Sequence, residues 1–322
     1  MNFNRMYQAD IEDMLIYQNL ISGNHQFRQP VVTIGNFDGV HLGHQTIFRL
    51  VIERARAFQG EAVVLTFDPH PLKVIRPDCQ LPLLTTKAQK LRLLSSLGLD
   101  VVVVQPFTKE FAAMPAREFI NDYLWGRMNV KEVVVGHDYS FGHNREGNIA
   151  LLQEIGAEKG FSVLVVDAIQ INHTVVSSTS IRNLIRDGNL EEANRLLGRP
   201  YEITGVVGRG HGRGAQLLNI PTANLRPDNE LLPAPGIYAV QVTVAGQTHP
   251  AVANIGTCPT FDNKELSLEV HILDFNQDIY HQDLNVEFVA RLREEQRFPG
   301  IPELVAQIKA DIHKARQILA KI

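Results

Sequence analysis

Two cysteines in 322 residues, Cys79 and Cys258, leave little room for sulfur chemistry. They lie far apart and in no metal-binding or redox spacing, which argues against a disulfide scaffold and makes a reducing compartment the default. No apolar run approaches the ~20 residues that a membrane helix needs. There is no long basic run either, and the net charge of −4 argues against a nucleic-acid or membrane-surface partner. The opening MNFNRMYQADIEDML carries acids early and has no signal-peptide core. A soluble, cytoplasmic protein is expected. Neither an internal repeat nor a low-complexity tract is visible. What is present is length enough for two domains of roughly 100–200 residues each, with ordinary apolar content.

The two halves have different rhythms. Residues 31–186 alternate β-branched runs, VVTIG, EAVVLTF, DVVVV, KEVVVG and FSVLVV, with helix-like stretches. In residues 44–58, Ile47, Leu50, Val51, Ala55 and Phe58 fall on one helical face. Apolar strands with helix-length crossovers predict a parallel sheet covered on both sides, of the kind that binds ligands at the carboxyl ends of its strands. The rhythm changes after GNLEEANRLLGRP (188–200), a short helix stopped by Gly198 and Pro200. YEITGVV, GIYAVQVTV, SLEVHIL and LNVEFV then follow with few helix-length crossovers, as in an antiparallel barrel or sandwich. A closing helix carries the apolar stripe Ile301, Leu304, Val305, Ile308, Ile312, Ala315 and Leu319.

The stretch GNFDGVHLGHQ (35–45) stands where a strand gives way to a helix. Gly35 and Gly39 let the backbone approach a ligand, and a helix N-terminus favours an anion there. His41 and His44, three apart, share a helical face, so both imidazoles can serve one phosphate. A helix start with two surface histidines is the plainer reading of so short a motif. VVSSTSIR (175–182) opens another helix, offering the hydroxyls of Ser177, Ser178 and Thr179 and the donor fork of Arg182. Its plainer reading is an ordinary N-cap.

Together the two motifs resemble the nucleotidyltransferase superfamily, which grips ATP from two sides. Class I aminoacyl-tRNA synthetases share the first motif, but no lysine-rich KMSKS-type loop occurs here. TFDPHP (66–71), VVVGHDYSFG (133–142), LLGRPYEITG (196–205), IPTANL (220–225), VANIGTCPTF (252–261) and LEVHILDF (268–275) follow one another in order. The whole, from about residue 15, resembles the bacterial bifunctional riboflavin kinase/FMN adenylyltransferase family, or FAD synthetases.

The resemblance implies an α/β chain with a Rossmann-like nucleotidyltransferase sheet, helices on both faces, over residues 1–186. It implies an antiparallel β-barrel riboflavin kinase domain with a closing helix over residues 187–322. It assigns His41, His44 and Arg182 to catalysis of adenylyl transfer, and Gly35, Phe37, Asp38, Gly39, Ser177, Ser178 and Thr179 to ATP. Asp138 resembles a polar flavin-site position.

In the second half, GRGHGRGAQLLNIPTAN (208–224) holds glycines at alternate positions and could wrap phosphates, or be a hairpin tip. The resemblance gives Gly210, Gly212, Arg213, Gly214 and Thr222 to ATP. Thr222 and Asn224 carry hard oxygens suited to Mg²⁺, though both also suit a turn after Pro221. Glu269 alternates with apolar neighbours and should share a strand face with Ser267 and His271; the family places its catalytic glutamate there. Arg293 resembles a position near the kinase flavin pocket. The implied partners are riboflavin, FMN, FAD and ATP, with ATP as co-substrate and Mg²⁺ as cofactor. The alternatives are an adenylyltransferase for another phosphorylated acceptor and a non-catalytic flavin- or nucleotide-binding regulator.

Overall fold

The structure, a computed structural model, describes residues 14–20, 25–172, 174–208, 220–257 and 266–322. The chain divides into two compact units, Met1–Ser177 and Ser178–Ile322. This division falls before the helix that carries Arg182, whereas the change of rhythm placed it after that helix.

The first unit runs β1 (Leu15–Tyr17), β2 (Val31–Ile34), α1 (Leu42–Ala57), β3 (Ala62–Asp68), α2 (Pro71–Ile75), α3 (Lys87–Ser96) and β4 (Val101–Pro106). It continues through α4 (Lys109–Ala112), α5 (Ala116–Glu118) with a π-helical extension (Phe119–Arg127), β5 (Glu132–Gly136), α6 (Ile149–Lys159) and β6 (Ser162–Val166). A small hairpin, β7 (Gln170–Ile171) and β8 (Thr174–Val175), follows. The main sheet has the order β1-β4-β3-β2-β5-β6, with every pairing parallel.

Successive valines on these strands serve opposite faces, as period-two geometry requires. Val32, Val63, Val101 and Val133 pack with Leu124 of the π-helical segment and Leu152 and Ile155 of α6. Val31, Val64, Val102 and Val134 pack with Phe48, Val51 and Ala55 of α1 and Leu94 of α3. Both faces are therefore covered, which is why the strands read as unbroken apolar runs. From β2 the chain adds β3 and β4 on one side, then β5 and β6 on the other. The switch point lies beside β2, whose carboxyl end opens the GNFDG loop.

The second unit begins with α7 (Ser178–Arg186) and α8 (Leu190–Leu197), the latter ended by Gly198 at φ +74°. Six strands follow: β9 (Tyr201–Gly208), β10 (Ala223–Pro227), β11 (Gly236–Val244), β12 (Gln247–Thr257), β13 (Leu266–Ile272) and β14 (Asp283–Arg293). They close into an antiparallel barrel in the order β10-β13-β12-β11-β14-β9. Of the barrel and sandwich readings, the barrel holds. Ala245 and Gly246, both at positive φ, make the two-residue turn between β11 and β12.

The closing helix α9 (Ile301–Leu319) packs Ala315, Ile318 and Leu319 on Ile237, Ala239, Val252 and Leu292. Its stripe differs from the expected one at its start and in its middle. Ile301 is 54% exposed, and Asp311, a residue the apolar pattern skips, is buried. Arg293 supplies the reason, through the ion pair described below.

Candidate active sites

The GNFDG loop is held in uncommon backbone conformations. Phe37, Gly39 and Val40 take φ values of +50°, +83° and +44°. Such angles persist in non-glycine residues only where surroundings fix them. Gly39 has no alternative: a Cβ there would meet Leu84 Cδ1 at 2.7 Å. The Asp38 carboxylate accepts from the backbone N–H groups of Leu84 and Thr85, at 3.0 and 3.2 Å, and from Thr85 Oγ1. Thr85 Oγ1 in turn accepts from the Gly39 N–H at 3.2 Å. Asp38, expected to contact ATP, is buried and directs its charge at the backbone before α3. An acid turned towards N–H donors inside the protein braces the loop, a role that the motif alone does not reveal.

His41 caps α1, its Nδ1 accepting from the His44 N–H at 3.3 Å. In the neutral ring this contact places the proton on Nε2 and so fixes the tautomer that donates from the other side. The His41 and His44 rings stack, 3.5 Å apart at 19°. Phe37 meets His44 edge-on at 5.2 Å and leans on Phe48 at 4.8 Å, so the loop's aromatic residue holds the second histidine in place. Gly35 sits under this ring: a Cβ there would lie 2.9 Å from Phe37 Cζ. Phe37 therefore packs as well as lining the loop. Asp138 is exposed after β5, its Oδ1 lying over Gly136.

Ser177 closes the first unit. Ser178, Thr179 and Arg182 stand on α7 of the second, with Thr179 exposed and Arg182 buried.

In the barrel, strand register brings the candidate residues together. Asn224 of β10 pairs with Glu269 of β13, and Glu269 pairs on its other side with Asn254 of β12. Directly opposed residues point to one face of a sheet. Asn224, Glu269 and Asn254 therefore form a row across three strands. Ser267, Glu269 and His271 alternate with buried Leu268, Val270 and Ile272, the pattern expected for this strand. His271 Nδ1 lies 2.8 Å from the Pro221 carbonyl and ties the PTAN segment to β13. Thr222, two residues before Asn224, precedes β10.

Asn254 was not anticipated. Its neighbours in VANIG gave no hint, and only strand register brings it to Glu269. Its Oδ1 is buried and has no hydrogen-bond partner among the described residues.

Arg293 forms a two-pronged ion pair with Asp311 of α9, Nε to Oδ2 at 3.0 Å and Nη2 to Oδ2 at 2.8 Å. Its Nη1 donates to the Glu294 carbonyl, and the guanidinium lies over the Phe298 ring. Arg293, expected near the kinase flavin pocket, uses these donors to join helix to barrel. Gly210, Gly212, Arg213 and Gly214 lie outside the described residues.

Similarity to known proteins follows the same two-part plan. The FAD synthetase family model matches residues 24–180, and the riboflavin kinase family model matches residues 197–319. The Escherichia coli (strain K12) protein named bifunctional riboflavin kinase/FMN adenylyltransferase is 39% identical over 304 residues, covering 92% of this chain and 97% of its own. The protein of that name from Listeria monocytogenes (serovar 1/2a, strain ATCC BAA-679 / EGD-e) is 39% identical over 297 residues, covering 91% and 93%. A crystal structure described as a macrolide-efflux protein from Streptococcus pneumoniae superposes with a TM-score of 0.84 at 34% identity, covering 94% of this chain and 99% of that one. Among the described residues here, no helix is long and apolar enough to cross a membrane.

Proposed function

Since the chain belongs to the bifunctional riboflavin kinase/FMN adenylyltransferase family, phosphorylating riboflavin to FMN and adenylylating FMN to FAD with release of pyrophosphate, we propose how its residues divide the work. Adenylyl transfer is the task of residues 1–186 and phosphorylation that of residues 187–322. The observation that carries this division is that the stacked histidines and the Asn224–Glu269–Asn254 row belong to different units.

In adenylyl transfer the phosphate of FMN attacks the α-phosphorus of ATP, and pyrophosphate leaves. No covalent enzyme intermediate is required, so the protein's part is alignment and stabilisation of charge. His41, its Nδ1 engaged by the His44 N–H, offers Nε2–H to an α-phosphate oxygen. His44, stacked on it, is the second donor. Gly35, Phe37 and Gly39 shape the loop that receives the nucleotide. Ser177, Ser178 and Thr179 hold the leaving pyrophosphate, and Arg182 neutralises it. Asp138 serves the flavin side.

In the kinase, Glu269 takes the proton from the terminal ribityl hydroxyl as that oxygen attacks the γ-phosphorus of ATP. Asn254 and Asn224, on either side, orient the carboxylate and the hydroxyl. Thr222 and Asn224 would hold Mg²⁺, for they offer neutral oxygens two residues apart beside Glu269, leaving further positions to phosphates and water. The ion would neutralise phosphate charge. Gly210, Gly212, Arg213 and Gly214 are assigned to the ATP phosphates by family resemblance. A cytoplasmic location fits the chain's few cysteines.

The test measures both half-reactions, riboflavin to FMN and FMN to FAD, on each purified variant, with the flavins separated by chromatography. His44→Ala should lose the second and keep the first. Glu269→Gln should do the reverse.

A further inference from the structure

Lys90 lies on α3, outside every motif that the function uses. It is half-buried, and its amine is turned inward. Nζ donates to the Asn36 carbonyl at 3.2 Å and to Oγ1 of the fully buried Thr66 at 3.1 Å. Thr66 Oγ1 itself donates to the same Asn36 carbonyl at 3.3 Å. One carbonyl of the GNFDG loop is therefore gripped by an ammonium and a hydroxyl from two different elements.

The consequence is conformational. The Asn36–Phe37 peptide is trans, so its C=O and N–H point in opposite directions. Pulling the carbonyl towards Lys90 turns the Phe37 N–H the other way. The next residue, Phe37, is the first in the left-handed region, at φ +50°. A peptide beside such a residue has two competing orientations, and something must select one. The brace from Asp38 to Leu84 and Thr85 fixes the far side of the turn but not this peptide.

We propose that Lys90 is a positioning residue for adenylyl transfer, which locks the Asn36–Phe37 peptide so that the Phe37 N–H is presented to the ATP phosphates. The proposal rests on the reading that this loop and its histidines receive the nucleotide.

The electrostatics distinguish this role from a structural one. Burial pushes the Lys90 amine down to about 8, against the pull of Asp38 on the loop and Asp68 at the end of β3, with Lys87 on its own helix adding to the fall. Lys87 is itself paired with Asp68 at 2.9 Å. A folded-state value below the unfolded one means that the ammonium opposes folding below about pH 8. That opposition fades as pH rises from about 8 towards the ordinary lysine value of ~10.4. The charge thus works against stability at neutral pH while it holds the loop.

The experiment measures FMN-to-FAD conversion from pH 6.5 to 9.5 for the wild type, Lys90→Met, Lys90→Arg and His44→Ala. Riboflavin-to-FMN conversion and a melting curve are recorded on each preparation. Wild-type kcat should fall above about pH 8, where Lys90 loses its proton. Lys90→Met should lower kcat roughly tenfold to a hundredfold, as expected for a displaced donor. It should lack the fall above pH 8, keep its KM for FMN and its kinase activity, and melt no lower than the wild type at pH 7. Lys90→Arg, charged throughout, should retain more activity than Lys90→Met and also lack that fall.

Wild-type kcat and an unchanged alkaline fall in Lys90→Met would overturn the proposal. So would a loss of activity that matches a loss of melting temperature. If Lys90→Met does not fold, persistence of the fall in Lys90→Arg overturns it. Full FAD formation by His44→Ala would show instead that the reading of the loop is wrong, and the proposal would go with it.

Discussion

The two units build polar sites by opposite means. In the first, the proposed chemistry sits on an irregular loop at the end of β2, whose strained residues are held from a distant stretch of sequence, by Leu84 and Thr85 through the loop's own Asp38 and by Lys90. In the second, Glu269 and its two asparagines stand on regular strands, and the ladder itself sets their spacing. A parallel sheet has its backbone satisfied and both faces covered, so only its loops are available to a ligand. A barrel has an outer face that α9 covers only in part, and strand residues can serve directly. The lesson is that the first site should be sensitive to remote supporting residues, whereas the second should be sensitive mainly to the residues that touch substrate.

The largest expected effect is at Glu269. Glu269→Gln keeps the size and removes the base, so FMN formation should fall by about 10²–10⁴-fold while FAD formation from FMN continues. His44→Ala should cost adenylyl transfer roughly 10²–10³-fold, the loss of one transition-state donor, with the kinase spared. Arg293→Met should act on stability. It leaves Asp311, whose side chain is 6% exposed, without its guanidinium, and denaturant unfolding should show a loss of about 3–5 kcal/mol. Replacing Asp311 by Leu as well should recover most of it, and riboflavin affinity should change little in protein that stays folded.

Asp38→Asn sharpens the contrast. The new amide keeps one acceptor but sets a donor against the Leu84 N–H at the other position, and stability of the first unit should fall by about 1–3 kcal/mol together with adenylyl transfer. Asn254→Ala is the smallest. The strands around it hold the backbone, so only the kinase rate should drop, by roughly tenfold, as for one hydrogen bond of about 1 kcal/mol or slightly more. A large effect of Asn254→Ala on melting, or none of Asp38→Asn on FAD formation, would show that the two sites do not differ in this way.

Much of this organisation was legible in the chain. The five valine-rich runs became β2 to β6 because β-branched residues with apolar neighbours on both faces fit a covered parallel sheet. His41 and His44 were legible because a helix start fixes which side chains share a face. Elsewhere local sequence was silent. β1, with only three residues, gives too short a pattern to read, and its place at the sheet edge depends on pairing with β4. The burial of Asp311 broke the apolar stripe because its partner Arg293 is on another element. Asn254 meets Glu269 only through register. Asp38 illustrates the same limit: the motif marks the residue, and only the fold shows that its carboxylate faces the backbone of Leu84 and Thr85.

Two sites on one chain, with essential residues that do not overlap, can be tested by complementation. The most direct measurement mixes purified His44→Ala with purified Glu269→Gln and supplies riboflavin, ATP and Mg²⁺. Each variant alone should fail to convert riboflavin to FAD, the first stopping at FMN and the second leaving riboflavin unchanged. The mixture should make FAD, because FMN released by one protein is substrate for the intact loop of the other. If instead each variant loses both half-reactions and the mixture yields neither FMN nor FAD, the two sets of residues serve one site and the account is wrong.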